Sequence, residues 1–430
     1  MLGSLGSPGK LIGALRTGAW LTRARTRLWS SAVLIAALGG LGYLLATAHG
    51  LVDFQNRPLG TDFSSFYAAG TYVLAGDAAA PYDTVRQHAG EQAMFGADTP
   101  FYSFLYPPFF LFIAAALAWL PYGPALVLWQ GASLALYLLA MRALLRRAEP
   151  SQAGTPLADD RLWLLLAVAF PAVFVNLGHG QNGLLTAALL GGALALLEAR
   201  PIVAGLLFGL LAYKPQFGLM IPLALVAGGY WRTIAAAAVT VALLVLATVA
   251  AFGPEVWYAF FASTGFSRTV LLESGDVGWH KIQSVFAWVR MWGGSVGLAY
   301  AVQGAVTFAL AGTLIWLWRG SVAFALKAAG LCLAVLLGTP FSLDYDMMVL
   351  APTIACLALH GGTRGFGPYT KSALSALWMV PLLARPVAGA IFIPLGVPAM
   401  LAAFILLVRD AGSGAREPSG TAATPALHTA

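Results

Sequence analysis

Residues 201–229, PIVAGLLFGLLAYKPQFGLMIPLALVAGG, contain a single charged side chain, Lys214. A helix crosses the roughly 30 Å apolar core of a bilayer with about 20 apolar residues, so this run is long enough to span. Lys214-Pro215 and Pro222 interrupt it. Proline lacks an N–H and clashes with the preceding turn, so a kink is expected there. Two crossings of about 14 residues each would be short, which favours one tilted, kinked helix. The rest of the chain has the same character. Of its 430 residues 59% are hydrophobic and only 10% charged, with a mean hydropathy of +0.79. Soluble domains carry about a quarter charged residues, so this composition excludes a soluble fold and predicts an all-α polytopic membrane protein. The net charge of +7 is assigned to cytoplasmic loops, not to nucleic-acid binding.

Working outward, residues 1–28 form a basic cytoplasmic N-terminus, and 29–49 read as a retained first helix. An acidic interval at 50–103 suits the outer side and contains two patches expected to form short interfacial helices. Apolar spans follow near 104–120, 122–145, 162–177 and 181–197, then the 201–229 run and 233–252. Together, 29–252 make an N-terminal membrane module, expected to be the catalytic one on the site residues and the resemblance given below. A second outer loop at 253–280 leads to spans near 284–318, 322–338, 343–360, 372–384 and 388–408, and 409–430 read as a disordered cytoplasmic tail. This gives twelve crossings with both termini inside. Arg146 and Arg147 then fall on the wrong side for a basic pair. Splitting 201–229 in two and dropping one earlier crossing would bring them inside. Cys332 and Cys356 lie in apolar runs and read as small buried hydrophobes.

Ionisable groups are costly in lipid, so the few present are the candidate site. Asp62, in Gly60-Thr61-Asp62-Phe63, is either an N-cap or a general base facing a cavity. Lys214, if it faces a cavity, offers a point charge to a phosphate; otherwise it must snorkel. His280 and Arg268, in the second outer loop, are candidate phosphate contacts or ordinary loop charges. The polar break Asn176-Leu-Gly-His179-Gly-Gln181-Asn182 either satisfies helix ends or lines a polar cavity, and its spacing is not a metal signature. Asp344 and Asp346 open a helix, where acids are favourable through its dipole. One of them is free to hold a sugar hydroxyl, and this pair is the only place a divalent cation would be sought.

These residues carry a resemblance. Gly60-Thr61-Asp62-Phe63 with Tyr67, Gly76 and Pro81-Tyr82 is followed by Tyr106-Pro107-Pro108. Gly178-His179-Gly180-Gln181-Asn182, Gly205, Lys214-Pro215, Thr339-Pro340 and Tyr345-Asp346 complete the series. In this order and spacing the chain resembles the bacterial polytopic glycosyltransferases of family 87. The resemblance implies a C-type glycosyltransferase fold and an inverting reaction at the outer face of the inner membrane. The donor would be a polyprenyl-phosphate-linked sugar, with mannose favoured, and the acceptor a lipid or glycan hydroxyl. It implies Asp62 as catalytic base; Lys214, His280 and Arg268 at the donor phosphate; and Tyr67, His179, Gln181, Asp344, Tyr345 and Asp346 at the substrates. No metal or other cofactor is expected, and the partners are the donor, a glycolipid or glycan acceptor and membrane lipids. The competing reading is a transporter or lipid-linked-sugar flippase, which predicts two inverted halves with broken helices at midplane.

Overall fold

The computed structural model describes residues 8–147 and 160–414, and its regular elements are all helical apart from isolated bridges such as Ile282–Leu343. A short α1 (Pro8–Thr17) precedes α2 (Arg23–Ala46), whose first turn is capped by the Thr22 hydroxyl accepting the Arg25 N–H. The first polar interval folds into α3 (Phe63–Leu74) and α4 (Thr84–Phe95), the latter capped by Asp83. Next come α5 (Phe110–Ala118), α6 (Tyr122–Leu145), α7 (Leu162–Val168), α8 (Pro171–His179) and α9 (Gly183–Leu196). The 201–229 run gives α10 (Pro201–Leu210) and α11 (Met220–Ala227), and α12 (Trp231–Phe252) follows. The second polar loop contains α13 (Glu255–Phe266), and α14 (Val285–Met291) follows it. The chain then closes with α15 (Val296–Arg319), α16 (Phe324–Leu337), α17 (Leu350–Arg364), α18 (Thr370–Ile391) and α19 (Gly396–Gly414).

Among the described residues six helices, α2, α6, α12, α15, α18 and α19, are long and apolar enough to cross a membrane. The pair α7 and α8, bent by 40°, makes a seventh. Shorter apolar helices accompany them, so the described residues contain six or seven helices of full crossing length where twelve crossings were expected. The protein is an all-α, multi-pass membrane body. α3 is packed into the protein body: Phe63, Phe66 and Ala69 are buried, and Gly70 sits directly against the Ala114 backbone of α5. Cys332 and Cys356 are free and buried. The helix α19 continues through 409–414, and the remainder of the expected tail, 415–430, lies outside the described residues.

The 201–229 run is not one kinked helix. Leu211–Tyr213 and Pro215–Phe217 tighten into single 3₁₀ turns on either side of Lys214, and the chain doubles back. Near its start, Glu198 pairs with Arg147, whose guanidinium lies 4.0 Å from the Phe324 ring. Just past its end, Tyr230 packs on Trp318 at 5.8 Å, and Lys327 donates to the Trp318 carbonyl at 3.3 Å. Both ends of the run therefore sit at the α15–α16 connection, with Lys214 at the tip. Each arm, at about 1.5–2 Å per residue, reaches only about 15–20 Å, too short to traverse the apolar core. Gly205 and Gly209 lay α10 directly against Thr233, Ala236 and Thr240 of α12, the close approach that small residues permit.

The basic pair at 146–147 is resolved by the same geometry. Arg23 pairs with Asp160 at 2.6 Å, and Leu145 clusters with Trp163 and Leu359. The Tyr369 N–H donates to the Arg16 carbonyl at 2.8 Å. Residues 16–23, 145–147, 160–163 and 359–369 thus share one end of the bundle. The 104–120 segment contributes only the nine-residue α5, so one earlier crossing is lost and the run at 201–229 is split. Of the described part of the 146–161 stretch, both ends lie at the N-terminal end of the bundle.

Candidate active site

At the opposite end, the loops converge on a polar cavity of about 360 Å³. Asp62, Tyr106, Gln181, Lys281, Asp344 and Arg385 are among its walls. Asp62 occupies the N-cap position of α3 but makes no capping bond with its side chain. Gln181 Nε2 donates to Asp62 Oδ2 at 2.7 Å, and the amide is fixed from its other side. There Gln181 Oε1 accepts from Tyr106 Oη at 3.3 Å and from the Asn182 N–H at 3.1 Å. With the cap unused, the carboxylate is held by one amide and borders the cavity. Beside it, Thr61 Oγ1 and His179 Nδ1 share a hydrogen bond of 2.7 Å. Gly180 makes this approach possible: it ends α8 in the left-handed conformation (φ +61°), and a Cβ there would collide with Phe63.

The wall at Pro100–Ser103 is tied down by α4. Glu91, fully buried, accepts the Tyr102 N–H at 3.0 Å and the Ser64 hydroxyl at 3.4 Å, and His88 Nε2 bonds the Thr99 carbonyl at 2.8 Å. Burial pushes the Glu91 carboxyl up to about 8, and the nearby Asp62 adds to the shift. Asp344 is buried, accepts the Tyr345 N–H at 2.9 Å and lies 3.8 Å from the Arg385 guanidinium.

The structure gathers only some of the candidate residues. Asp62, His179, Gln181, Asp344 and Tyr345 line the cavity. Asp346 and Lys214 are paired with one another behind the wall, each side chain no more than 2% exposed, and neither borders the cavity. The lysine finds a carboxylate partner at the hairpin tip and has no need to snorkel. Arg268 is 69% exposed and reaches only toward Glu273 at 3.6 Å. His280 stands outside the lining; burial, then Arg385 and Lys281, push its pKa down. Tyr67 turns away to donate to the Leu120 carbonyl at 2.8 Å. Among the described residues no three His, Cys, Asp or Glu side chains converge as metal ligands.

Three cations that the sequence did not single out border the cavity instead: Arg57, Lys281 and Arg385. Burial and Arg385 push the Lys281 ammonium down, against Asp62 and Asp344, which hold it up. Arg385 carried a usable signal, being an arginine beside Pro386 between apolar runs, the kind of membrane-embedded charge that marks a site.

A second space adjoins the first. It measures about 620 Å³ and is mainly apolar, walled by α2 (Val33, Ala36), α8 (Phe174, Val175) and α18 (Pro381, Leu382). Arg57, Thr61, His179, Asp344 and Arg385 line both spaces. The polar cavity and the apolar groove therefore meet within one residue of Asp62.

A multi-pass helical body with a carboxylate-bearing cavity that opens onto an apolar groove is the class defined by this fold and site. The model of glycosyltransferase family 87 matches residues 104–340, more than half of the chain, and the chain belongs to that family. Membership implies, in general terms, sugar transfer at a membrane from a lipid-linked donor to a glycan or lipid acceptor. Asp62, Asp344 and Arg385 lie outside the matched segment, whereas Tyr106, His179, Gln181 and Lys281 lie within it. No curated protein sequence and no solved structure matches the chain.

Proposed function

We propose that the protein is an inverting glycosyltransferase of C-type fold that moves a single sugar, with mannose favoured, from a polyprenyl-phosphate donor to a lipid or glycan hydroxyl. It acts at the outer face of a bacterial inner membrane. The observation that carries this reading is the junction of the two spaces: an apolar groove suited to an isoprenoid chain meets a polar cavity at a set of cations, beside a carboxylate. The donor phosphate sits at Arg57, Lys281 and Arg385, its lipid in the groove and its sugar in the cavity. Asp62 takes the acceptor hydroxyl proton as that oxygen bonds to the anomeric carbon. The bond between that carbon and the phosphate oxygen breaks, and its electron pair leaves with polyprenyl phosphate. The negative charge growing on the phosphate is met by the three cations, electrostatic support placed where charge develops. Gln181, locked by Tyr106, holds the base in register.

The test is donor class. Purified protein is incubated with radiolabelled polyprenyl-phosphate sugars, or with the matching nucleotide sugars, and a bacterial lipid extract. Label should reach an acceptor only from the lipid donors. Transfer from nucleotide sugars alone, or from neither class, contradicts the reading.

A further inference from the structure

Lys214 and Asp346 are the buried ion pair of this protein that the catalytic reading leaves unused. Asp346 divides its two oxygens. Oδ2 accepts the Leu343 N–H at 3.0 Å while the Asp346 N–H donates to the Leu343 carbonyl at 2.9 Å, so the residue closes the 343–346 turn on itself. Oδ1 takes the ammonium of Lys214, at the tip of the 201–229 hairpin. The same ammonium lies 5.1 Å from the Tyr345 ring and 5.7 Å from that of Phe217. The turn is held on two further sides. Asn176 Nδ2 donates to the Tyr345 carbonyl at 3.1 Å, and the Gln283 N–H donates to the Ser342 carbonyl at 2.7 Å. Those anchors come from the last turns of α8 and from the segment just before α14. Among the described residues only Lys214 forms an ion pair with the Asp346 carboxylate. Three of the residues in the turn, Leu343, Asp344 and Tyr345, face the reaction cavity, and Lys214 does not.

We infer that Lys214 is a positioning residue: its ion pair with Asp346 sets the 342–346 turn so that Asp344 and Tyr345 present themselves to the substrate cavity. The broken run at 201–229 then has a purpose. Two helices that each stop short of crossing deliver one ammonium to the back of the cavity wall. A direct role at the donor phosphate would require Lys214 to abandon a carboxylate that is itself buried, leaving that charge unpaired, which is strongly unfavourable.

The kinetic arm of the test rests on the proposed glycosyl transfer; the exchange arm does not. Full-length Lys214→Met, Asp346→Asn and the double variant are purified and compared with the native chain by hydrogen–deuterium exchange and by transfer kinetics. Lys214→Met strands the Asp346 carboxylate. Exchange at 342–346 should accelerate about tenfold or more, and kcat should fall roughly 30-fold or more, while donor KM stays within about threefold. Neutralising both partners removes the stranded charge, and the amide introduced by Asp346→Asn retains an acceptor oxygen for the Leu343 N–H. The double variant therefore lacks the ion pair without stranding a charge: exchange at 342–346 should stay well above native and kcat well below it, though by less than in Lys214→Met, while donor KM stays within about threefold. Should Lys214→Met fail to fold, the double variant carries the comparison alone, with accelerated exchange at 342–346 and a native-like donor KM expected. A donor KM raised about tenfold in the double variant, or native-like exchange at 342–346 in the double variant or in Lys214→Met, overturns the inference. If the native chain transfers no sugar from any lipid donor, the functional reading fails, and the exchange comparison still decides whether Lys214 sets the turn.

Discussion

Glu91 is a carboxyl with no exposure whose hydrogen-bond partners, the Tyr102 N–H, the Ser64 hydroxyl and the Gln87 side chain, are all neutral. None of them brings a full positive charge, and Asp62 lies near enough to oppose ionisation. The carboxyl is raised from an ordinary 4.5 to about 8. The sign follows from linkage. A group that holds its proton more tightly when folded contributes stability that is complete below pH 4.5 and is lost as pH rises toward 8. Within that window the loss is about 1.4 kcal/mol per pH unit, hence about 3 kcal/mol between pH 5.5 and 7.5. Glu91→Gln removes the titration but keeps the shape, with an oxygen for the Tyr102 N–H and an amide that can donate to Ser64 Oγ. Thermal unfolding of the detergent-solubilised protein should therefore show native and variant close together at pH 5.5. By pH 8 the variant should melt a few degrees higher. The difference between the two curves isolates Glu91, because every other titrating group is common to both. Parallel curves across the range would refute the buried, proton-holding assignment.

Other outcomes follow from the site. Arg385→Gln, which takes a cation from the mouth shared by the two spaces, should raise donor KM about tenfold or more, the scale of a hydrogen bond to a charged group; steady-state kinetics with a lipid donor measures it. Ala36→Trp, which places a large ring in the groove between α2, α8 and α18, should weaken long-chain donors markedly and a short-chain analogue little. Equal loss for both would place the lipid elsewhere. Gly180→Ala, forcing a left-handed backbone and a clash with Phe63, should destabilise by about 1–3 kcal/mol in denaturant or thermal titrations.

Composition made the membrane body legible, because an apolar chain with few charges has no other stable solvent. Polar breaks between apolar runs marked Asp62, His179 and Gln181 as neighbours of a polar space, and these three line one cavity. The hairpin at 201–229 was not legible. A lysine and a proline inside an apolar run mark a break but do not say whether the chain continues or returns. The contacts that accompany the return, Asp346 on Lys214 and the α12 and α15 residues packed on the two arms, are distant in sequence, the first by 132 residues. Which cations border the cavity was not legible for a related reason. Arg268 and His280 were judged by their loop, yet the fold turns them out of the cavity and brings in Lys281 from the next position and Arg385 from α18. The packing of α3 was not legible either: its small face at Ala68, Ala69 and Gly70 is buried in the body, a contact with α5 that the local sequence does not announce.

The most direct measurement on the central claim is the rate of the chemical step with Asp62→Asn. Asparagine keeps the size of the side chain, so donor binding and folding should survive. With donor saturating, single-turnover transfer should fall by about 10²–10⁴-fold, the usual contribution of a general base, while lipid-donor affinity stays close to native. Transfer by the variant at the native rate would contradict the account.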